Sequence, residues 1–341
     1  MRQYIPAILA FVATALFPAA LSAQNSTPII GYYKVNAPAG VSYWTNTLVT
    51  KTEFQGQATS ITGGVTTSTV NQTAAGWSAG AFNLHYIEIL DGPWAGLAFD
   101  VIGNSTTSLT IQGNLGPSGY NLSSNVKYCV RKHATLGGIF KRGAGLGAYS
   151  DVITVVDDTG AAGKYYYSDD TEAGHIVALD GVTNRDNVII YPGQGIILNL
   201  TGARTLVFGS GEVCYVKTTP TKVPLYRNVV SFVGRMNPVV SRNALGDGLG
   251  ALEVARLNGQ ELGLIGSNLG SYSDVVTTFG RVGGIFAKTG TYFYDGDTGS
   301  LVTVLGEPVD SSKVLPNGVA FTIKPLGNDR FYTQPGVVVA P

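Results

Sequence analysis

Short runs of β-forming residues, separated by Gly, Asn, Asp and Pro, recur along this chain, and in one of them, Ser108–Ile111, polar and apolar residues alternate. Four of them follow closely on one another: Leu84–Leu90, Leu97–Ile102, Ser108–Ile111 and Val126–Val130. Such runs, rich in Val, Ile, Thr and Tyr, are typical of β-strands, and the residues between them favour turns. No window keeps the apolar spacing of a long helix, and Asp247–Leu257 is the best candidate for a short one. The pattern predicts an all-β protein.

The chain also repeats itself. Leu146–Thr154 recurs as Leu269–Thr277 with seven of nine positions identical. Three further pairs occur in both halves: Pro38–Asn46 with Pro220–Asn228, Gly163–Thr171 with Gly290–Thr298, and Pro192–Leu198 with Pro316–Thr322. A repeat in which each pair keeps its order indicates duplication. We therefore predict two related antiparallel modules, sandwich- or barrel-like, at residues 24–210 and 211–341, with a β-rich insertion at about 57–135 in the first.

The first residues have the parts of a secretory signal peptide. Arg2 supplies the positive charge, Ile5–Leu21 is almost wholly apolar, and small residues end the segment at Ala23. We expect cleavage after residue 23 rather than retention as a membrane anchor, and no later stretch is long enough for a transmembrane helix. The mature protein is expected to be secreted, periplasmic or on the cell surface.

Composition narrows the choice of partners. Charged residues are 13% of the chain, the formal net charge is zero, and no run of Lys or Arg occurs. These properties argue against nucleic acid as a partner. A polar, uncharged, Tyr-rich chain suits an extracellular setting, where self-association or a cell-surface glycan are the partners we expect.

The two cysteines, Cys129 and Cys214, leave two alternatives open. In an oxidising compartment they are a candidate disulfide. They also fit two buried thiols that pack as small apolar residues.

Candidate metal ligands are few. Asp169 and Asp170, and their counterparts Asp295 and Asp297, are weak calcium candidates because carboxylates beside Gly can converge on a tight loop. The alternative is an ordinary turn, since the third ligand and the later Glu of a calcium-binding loop are missing. No other cofactor is expected. His85, His133 and His175 are isolated, with His85 expected to be a partly exposed strand residue, and they predict no zinc site.

The sequence predicts no catalytic residue. It contains neither G-x-S-x-G nor S-x-x-K. Tyr-Ser-Asp occurs twice, at Tyr149–Asp151 and Tyr272–Asp274, and this duplication favours a structural role. Carboxylates that could serve a glycosidase are present, but their spacing does not distinguish them from surface charges: Glu88, Asp91, Asp100, Glu172 and Glu253.

Aromatic side chains offer another kind of site. Tyr165–Tyr167 and Tyr292–Tyr294 place two rings on one strand face and one on the other. Exposed rings could stack on sugars or anchor a partner, and Trp94 and Tyr166 are the candidates for such a surface. The alternative is packing in the core.

Four segments carry a resemblance: Tyr86–Gly96, Ile102–Asn104, Ser108–Thr110 and Lys132–Phe140. Through them the chain resembles a family of secreted proteins from the Verrucomicrobia and related bacteria. The resemblance implies a bacterial exported protein and carries over no catalytic residue. We thus expect an extracellular or cell-surface structural or interaction protein rather than an enzyme. The alternatives are a carbohydrate- or partner-binding module and a secreted hydrolase on a β-scaffold.

Overall fold

The computed structural model describes residues 30–122, 124–209, 214–216, 219–234, 252–253, 274–282, 285–309, 314–315, 319–326 and 329–334. The predicted signal peptide lies outside these residues and stays a prediction.

The described residues form 28 strands and one short helix. Up to residue 216 the strands are β1 (Ile30–Gly31), β2 (Tyr33–Ala37), β3 (Gly40–Thr45), β4 (Leu48–Thr50), β5 (Thr52–Gln57), β6 (Ser60–Gly63), β7 (Thr67–Asn71), β8 (His85–Ile89), β9 (Ala98–Asn104), β10 (Ser108–Gln112), β11 (Lys127–Lys132), β12 (Ala134–Thr135), β13 (Val152–Val156), β14 (Ala162–Ser168), β15 (His175–Ala178), β16 (Ile189–Ile190), β17 (Gly195–Leu200), β18 (Arg204–Phe208) and β19 (Cys214–Val216). The others are β20 (Thr221–Leu225), β21 (Ser231–Val233), β22 (Leu252–Glu253), β23 (Val275–Val282), β24 (Ile285–Asp295), β25 (Ser300–Thr303), β26 (Val314–Leu315), β27 (Phe321–Lys324) and β28 (Arg330–Gln334), and the helix α1 is Leu136–Ile139. The all-β prediction is confirmed.

The inserted strands form a seven-stranded antiparallel sheet, which we call the insertion sheet, in the order β5-β11-β8-β9-β10-β7-β6. The four strands predicted in this part of the sequence are confirmed as β8 to β11. Alternation explains β10, in which Leu109 and Ile111 are fully buried while their neighbours are not. The sheet runs from Thr52 to Lys132, slightly earlier in the chain than the predicted insertion.

Two five-stranded antiparallel sheets share one strand order. The first five-stranded sheet is β15-β14-β13-β17-β3 and the second is β25-β24-β23-β27-β21. Each is accompanied by a two-stranded pair, β18-β2 in one case and β20-β28 in the other. This correspondence supports the predicted duplication, whose common origin stays a prediction. In this correspondence, β20 takes the place of β2 and β21 takes the place of β3. The repeat in the sequence instead paired Pro38–Asn46, which contains β3, with Pro220–Asn228, which contains β20. All of the described sheets are open.

A second detail recurs in the two sheets. A Cβ added to Gly163 would overlap the hydroxyl of Tyr165, and one added to Gly290 would overlap the hydroxyl of Tyr292. Each ring therefore lies over the glycine two residues before it, on the same strand face. This geometry explains why a glycine opens both aligned aromatic runs.

The two five-stranded sheets pack together. Phe286 of β24 and Val319 belong to the same buried cluster as Trp44 of β3. The ring centroids of Tyr43 and Phe279 are 4.0 Å apart, and those of Trp44 and Phe286 are 5.8 Å apart. Residues of the second sheet thus help to complete the core of the first.

Helical structure is minimal. The helix α1 is capped by Thr135, whose Oγ1 accepts a hydrogen bond of 3.1 Å from the Gly138 amide. Of the predicted helix Asp247–Leu257, only Leu252 and Glu253 are described. They pair with β26 as a strand, so the helix prediction is wrong at these two residues. Among the described residues, no helix has the length and apolar character needed to cross a membrane.

We expect Gly145→Ala to lower the free energy of unfolding by about 2–4 kcal/mol. Gly145 has a φ of +90°, and a Cβ there would overlap the carbonyl oxygen of Thr205. Gly143→Ala is a matched control, because Gly143 has a φ of +92° but open space around a Cβ. Urea unfolding of both variants separates the clash from the backbone strain. Equal losses in the two variants would contradict the assigned clash.

Candidate functional site

A cavity of about 830 Å³ opens between the insertion sheet, the first five-stranded sheet and strands β20, β21 and β28. Its volume is in the range of small-molecule binding sites. Its walls contain eight aromatic side chains, contributed by all three parts: Tyr86, Tyr120, Tyr165, Tyr191, Tyr226, Phe99, Phe232 and Phe331. Four carboxylates also line it: Glu88, Asp100, Asp157 and Asp158.

Tyr191 is held firmly at the cavity wall. Its hydroxyl donates to Asp100 Oδ2 at 2.7 Å, and its amide donates to Gln194 Oε1 at 2.9 Å. Its ring meets the ring of His133 edge-on, with centroids 5.3 Å apart. Burial, followed by the negative charge of Asp100, raises the pKa of Tyr191, so the hydroxyl remains protonated and donates.

Asp100 connects that tyrosine to a buried histidine. His133 is 1% exposed, and its Nε2 lies 3.1 Å from Asp100 Oδ1, close enough for an ion pair but outside the angles of an aligned hydrogen bond. Burial alone would raise the pKa of Asp100, but its contacts with His133 and Tyr191 outweigh burial and lower that pKa. Asp100 is therefore ionised at neutral pH.

A buried ion pair forms a second part of the wall. Glu88 is fully buried, and Arg131 Nε lies 3.2 Å from Glu88 Oε2. The other Glu88 oxygen accepts a hydrogen bond from the Thr219 hydroxyl, and Arg131 Nη1 donates to the carbonyl of Thr50 at 2.9 Å. The charge of Glu88 is thus balanced inside the protein.

Tyr86 lies beside this ion pair and also lines the cavity. It is 2% exposed, and its hydroxyl makes no hydrogen bond with any residue that the structure describes. Burial, and then the charge of Glu88, raises the pKa of Tyr86 well above its ordinary value. The cavity wall therefore contains a protonated hydroxyl with unused hydrogen-bonding capacity, which favours a polar occupant.

Two of the four carboxylates that line the cavity, Asp157 and Asp158, lie in the turn between β13 and β14. Asp157 Oδ1 accepts hydrogen bonds from the Thr159 amide and hydroxyl and from the Ala161 amide, so Asp157 stabilises the turn. Asp158 is exposed and makes no hydrogen bond or ion pair with another described residue. Asp158 is thus the carboxylate in this turn that is available to a ligand.

The predicted aromatic surface does not form at this cavity, because neither Trp94 nor Tyr166 lines it. Trp94 is half-buried and packs edge-on against Tyr120 and Phe331, with centroids 5.1 and 6.0 Å away. Tyr166 is half-buried on the strand face opposite Tyr165, which does line the cavity.

The calcium candidates lie in equivalent turns, after β14 and after β24. Asp295 Oδ1 accepts from the Asp297 amide at 3.0 Å and its Oδ2 from the Thr298 hydroxyl, the bonds of an ordinary turn. Asp170 accepts from the hydroxyl of Tyr149, and Asp169 is exposed. Within the described residues, no three His, Cys, Asp or Glu side chains converge as metal ligands. Calcium binding at these turns stays a prediction.

The two cysteines lie on strands β11 and β19. Cys129 is buried, with its Sγ 3.9 Å from Glu88 Oε2. Cys214 pairs through its backbone with Thr50, but its side chain lies outside the described residues, so the disulfide stays a prediction.

His85 was expected to be partly exposed, and that prediction is wrong. It is 6% exposed, with Nδ1 2.6 Å from the carbonyl oxygen of Asn83.

Sequence reasoning recognised Asp100 as a possible catalytic carboxylate but gave no reason to join it with Tyr191, Tyr226 and Asp158. Tyr191 is followed by Pro192 at the start of a predicted repeat segment, and this is the one local signal that could have pointed to it. Comparison of the chain with protein-family models, with curated proteins and with solved structures finds no match.

Proposed function

We propose that this chain is an exported carbohydrate-binding protein and that the cavity holds its ligand. The observation that carries the proposal is a cavity of about 830 Å³ lined by five tyrosines and four carboxylates. Sugars present apolar faces that pack on aromatic rings and hydroxyl groups that donate to carboxylates. The tyrosines supply both a ring and a hydroxyl, and Tyr86 has a hydroxyl with no partner among the described residues.

The expected setting agrees with such a ligand. The predicted signal peptide delivers the chain outside the cytoplasm, where surface and extracellular glycans are the available polymers. The low proportion of charged residues, 13%, also suits an exported binding protein.

Glycan-array screening followed by calorimetry tests the proposal. We expect Tyr191→Ala to weaken binding at least about tenfold, the equivalent of 1.4 kcal/mol, because it removes a ring fixed at the cavity wall. Tyr166→Ala is the matched control, since Tyr166 is a half-buried tyrosine that does not line the cavity, and it should bind as the wild type does. A blank array, or equal losses in both variants, would contradict the proposal. Cleavage of the bound glycan would instead indicate a hydrolase.

A structural or self-associating surface protein is the second candidate. Its supporting observation is a pair of equivalent turns, after β15 and after β25, that expose apolar side chains: Leu179 and Val182 in one, Val304 and Leu305 in the other. Light scattering across a concentration series tests it, and we expect larger species as concentration rises. A monomer at every concentration would contradict it.

A further inference from the structure

We infer that the glycan bound in this cavity carries positive charge, as an oligosaccharide of amino sugars whose primary amines are free. This inference rests on the proposed function, since it names the class of sugar that the same cavity takes. Its basis is the combination of unbalanced carboxylates, aromatic rings and an unused hydroxyl in one cavity.

The charges of the lining residues do not cancel. Four carboxylates and one amine, Lys222, line the cavity in the part of the chain that the structure describes. Glu88 is balanced by Arg131. Lys222 Nζ is directed elsewhere: it donates to the carbonyl of Pro93 at 2.6 Å and lies 5.5 Å from the centroid of the Trp94 ring. Asp100 has His133 3.1 Å away, so Asp157 and Asp158 are the lining carboxylates without a basic side chain at ion-pair distance among the described residues, and they give this part of the surface a negative potential.

Asp158 is the most available of these carboxylates, because it is exposed and makes no hydrogen bond or ion pair with another described residue. It acts on the same two tyrosines as Asp100. Burial comes first in raising the pKa of Tyr191 and Tyr226, and the charges of Asp158 and Asp100 raise both further. Both oxygens of Asp100 are already engaged, Oδ1 by His133 and Oδ2 by Tyr191, so Asp158 is the carboxylate that a cation beside these two rings would meet, and the combination favours an ammonium group.

The Tyr86 hydroxyl is an independent sign of a polar ligand. Tyr86 is 2% exposed and lines the cavity, and its hydroxyl has no hydrogen-bond partner among the described residues. A sugar hydroxyl or amine could complete its hydrogen bonding, whereas an apolar occupant would leave it unsatisfied.

The same electrostatics distinguishes three kinds of sugar. At Asp158 a protonated amine brings a full positive charge to the hydrogen bond, an N-acetylated sugar of the same length donates from a neutral amide and gains a weaker bond, and a uronic acid is repelled. Added salt should weaken the first interaction most, because Asp158 is exposed and its charge is open to screening.

Calorimetry with three oligosaccharides of equal length tests the inference on the full mature chain: a glucosamine oligomer, an N-acetylglucosamine oligomer and a galacturonic acid oligomer. In a mildly acidic buffer we expect the glucosamine oligomer to bind about tenfold more tightly than its acetylated form, and no measurable binding of the uronide. Asp158→Asn should remove this preference, because it weakens binding of the glucosamine oligomer far more than binding of the acetylated oligomer. Asp169→Asn, an exposed carboxylate that does not line the cavity, is the control and should keep the preference.

The possible results separate the two proposals. If the acetylated oligomer binds as tightly as the glucosamine oligomer, or if Asp158→Asn keeps the preference, the inference is overturned and the carbohydrate-binding function stands. If none of the three binds and the glycan array is also blank, the proposed function fails and the inference fails with it. Asp158 is exposed, so the variant is expected to fold, and circular dichroism checks that it does.

Discussion

Replacing Asp151 by alanine should lower the free energy of unfolding by about 3–5 kcal/mol. Asp151 is fully buried at the start of β13 and accepts hydrogen bonds from the Gly147 amide at 2.7 Å and from the Thr201 amide and hydroxyl at 2.8 and 2.9 Å. Arg204 Nε lies 2.5 Å from Asp151 Oδ2, an ion pair rather than an aligned hydrogen bond. Removing the carboxylate leaves the part-buried hydrogen bonds of Gly147 and Thr201, and a half-buried cation, without their acceptor.

The pH dependence of this loss follows from the direction of the pKa shift. Burial would raise the pKa of Asp151, but its hydrogen bonds from Thr201 and Gly147 outweigh burial and lower that pKa. The stabilisation is therefore present above the ordinary aspartate pKa, about 3.9, and is lost as the pH falls through the lower value of the folded state. Urea unfolding at several pH values should show the difference between wild type and Asp151→Ala shrinking in strong acid.

Two further variants separate charge from shape at this position. Asp151→Asn keeps the side-chain size, and Arg204→Met removes the cation while Asp151 keeps its donors from Gly147 and Thr201. A double-mutant cycle with these two variants gives the coupling between Asp151 and Arg204. A loss below about 1 kcal/mol for Asp151→Ala, or one independent of pH, would contradict the assigned role.

The same aspartate recurs in the second five-stranded sheet. Asp274 is fully buried directly before β23, as Asp151 is before β13. It accepts from the Leu326 amide at 2.9 Å, just after β27, whereas Asp151 accepts from Thr201, just after β17. Each aspartate thus ties the start of one strand to the end of its neighbour. The structural role predicted for the repeated Tyr-Ser-Asp is supported at both aspartates.

The features that could be predicted from the sequence are those determined by residues close together in the chain. Alternation over a few positions predicts a strand, because it reports which face is buried, and it succeeded for β10. The strands β8, β9 and β11 were predicted from runs of β-forming residues between turn residues. The repeated Gly-x-Tyr was also visible, because its two residues lie two apart on one strand face. These signals are local in the chain, and the strands and turns follow from them.

The cavity could not be predicted in that way. It joins Tyr86, Tyr191 and Tyr226, which come from separate segments, and no spacing in the chain encodes their distance in space. Trp94 was a reasonable candidate for a ligand surface as a large ring beside a turn, but in the fold it packs between Tyr120 and Phe331. Likewise, His85 was expected to be partly exposed because it lies in a strand, yet all five residues of β8 are buried.

Glu88→Leu should cost about 3–5 kcal/mol of unfolding free energy, because it removes one partner of a buried ion pair and leaves Arg131, whose side chain is 12% exposed, without its countercharge. The loss should be local to the insertion sheet, where β11 carries Arg131 and pairs with β8, which carries Glu88. Tryptophan fluorescence during urea unfolding measures it, since Trp77 belongs to the buried cluster of that sheet.

The control for this prediction is the double variant Glu88→Leu with Arg131→Met. Replacing both members of a buried ion pair by apolar residues removes the unpaired charge, so the double variant should be about 1–2 kcal/mol more stable than Glu88→Leu alone. It should not reach the wild type, because the Thr219 hydroxyl and the Thr50 carbonyl lose the partners they have in Glu88 and Arg131. A double variant no more stable than the single one would show that the cost comes from lost packing. The pair matters to the proposed binding as well, since Glu88 lines the cavity and its charge must be balanced before Asp158 can determine which sugars bind.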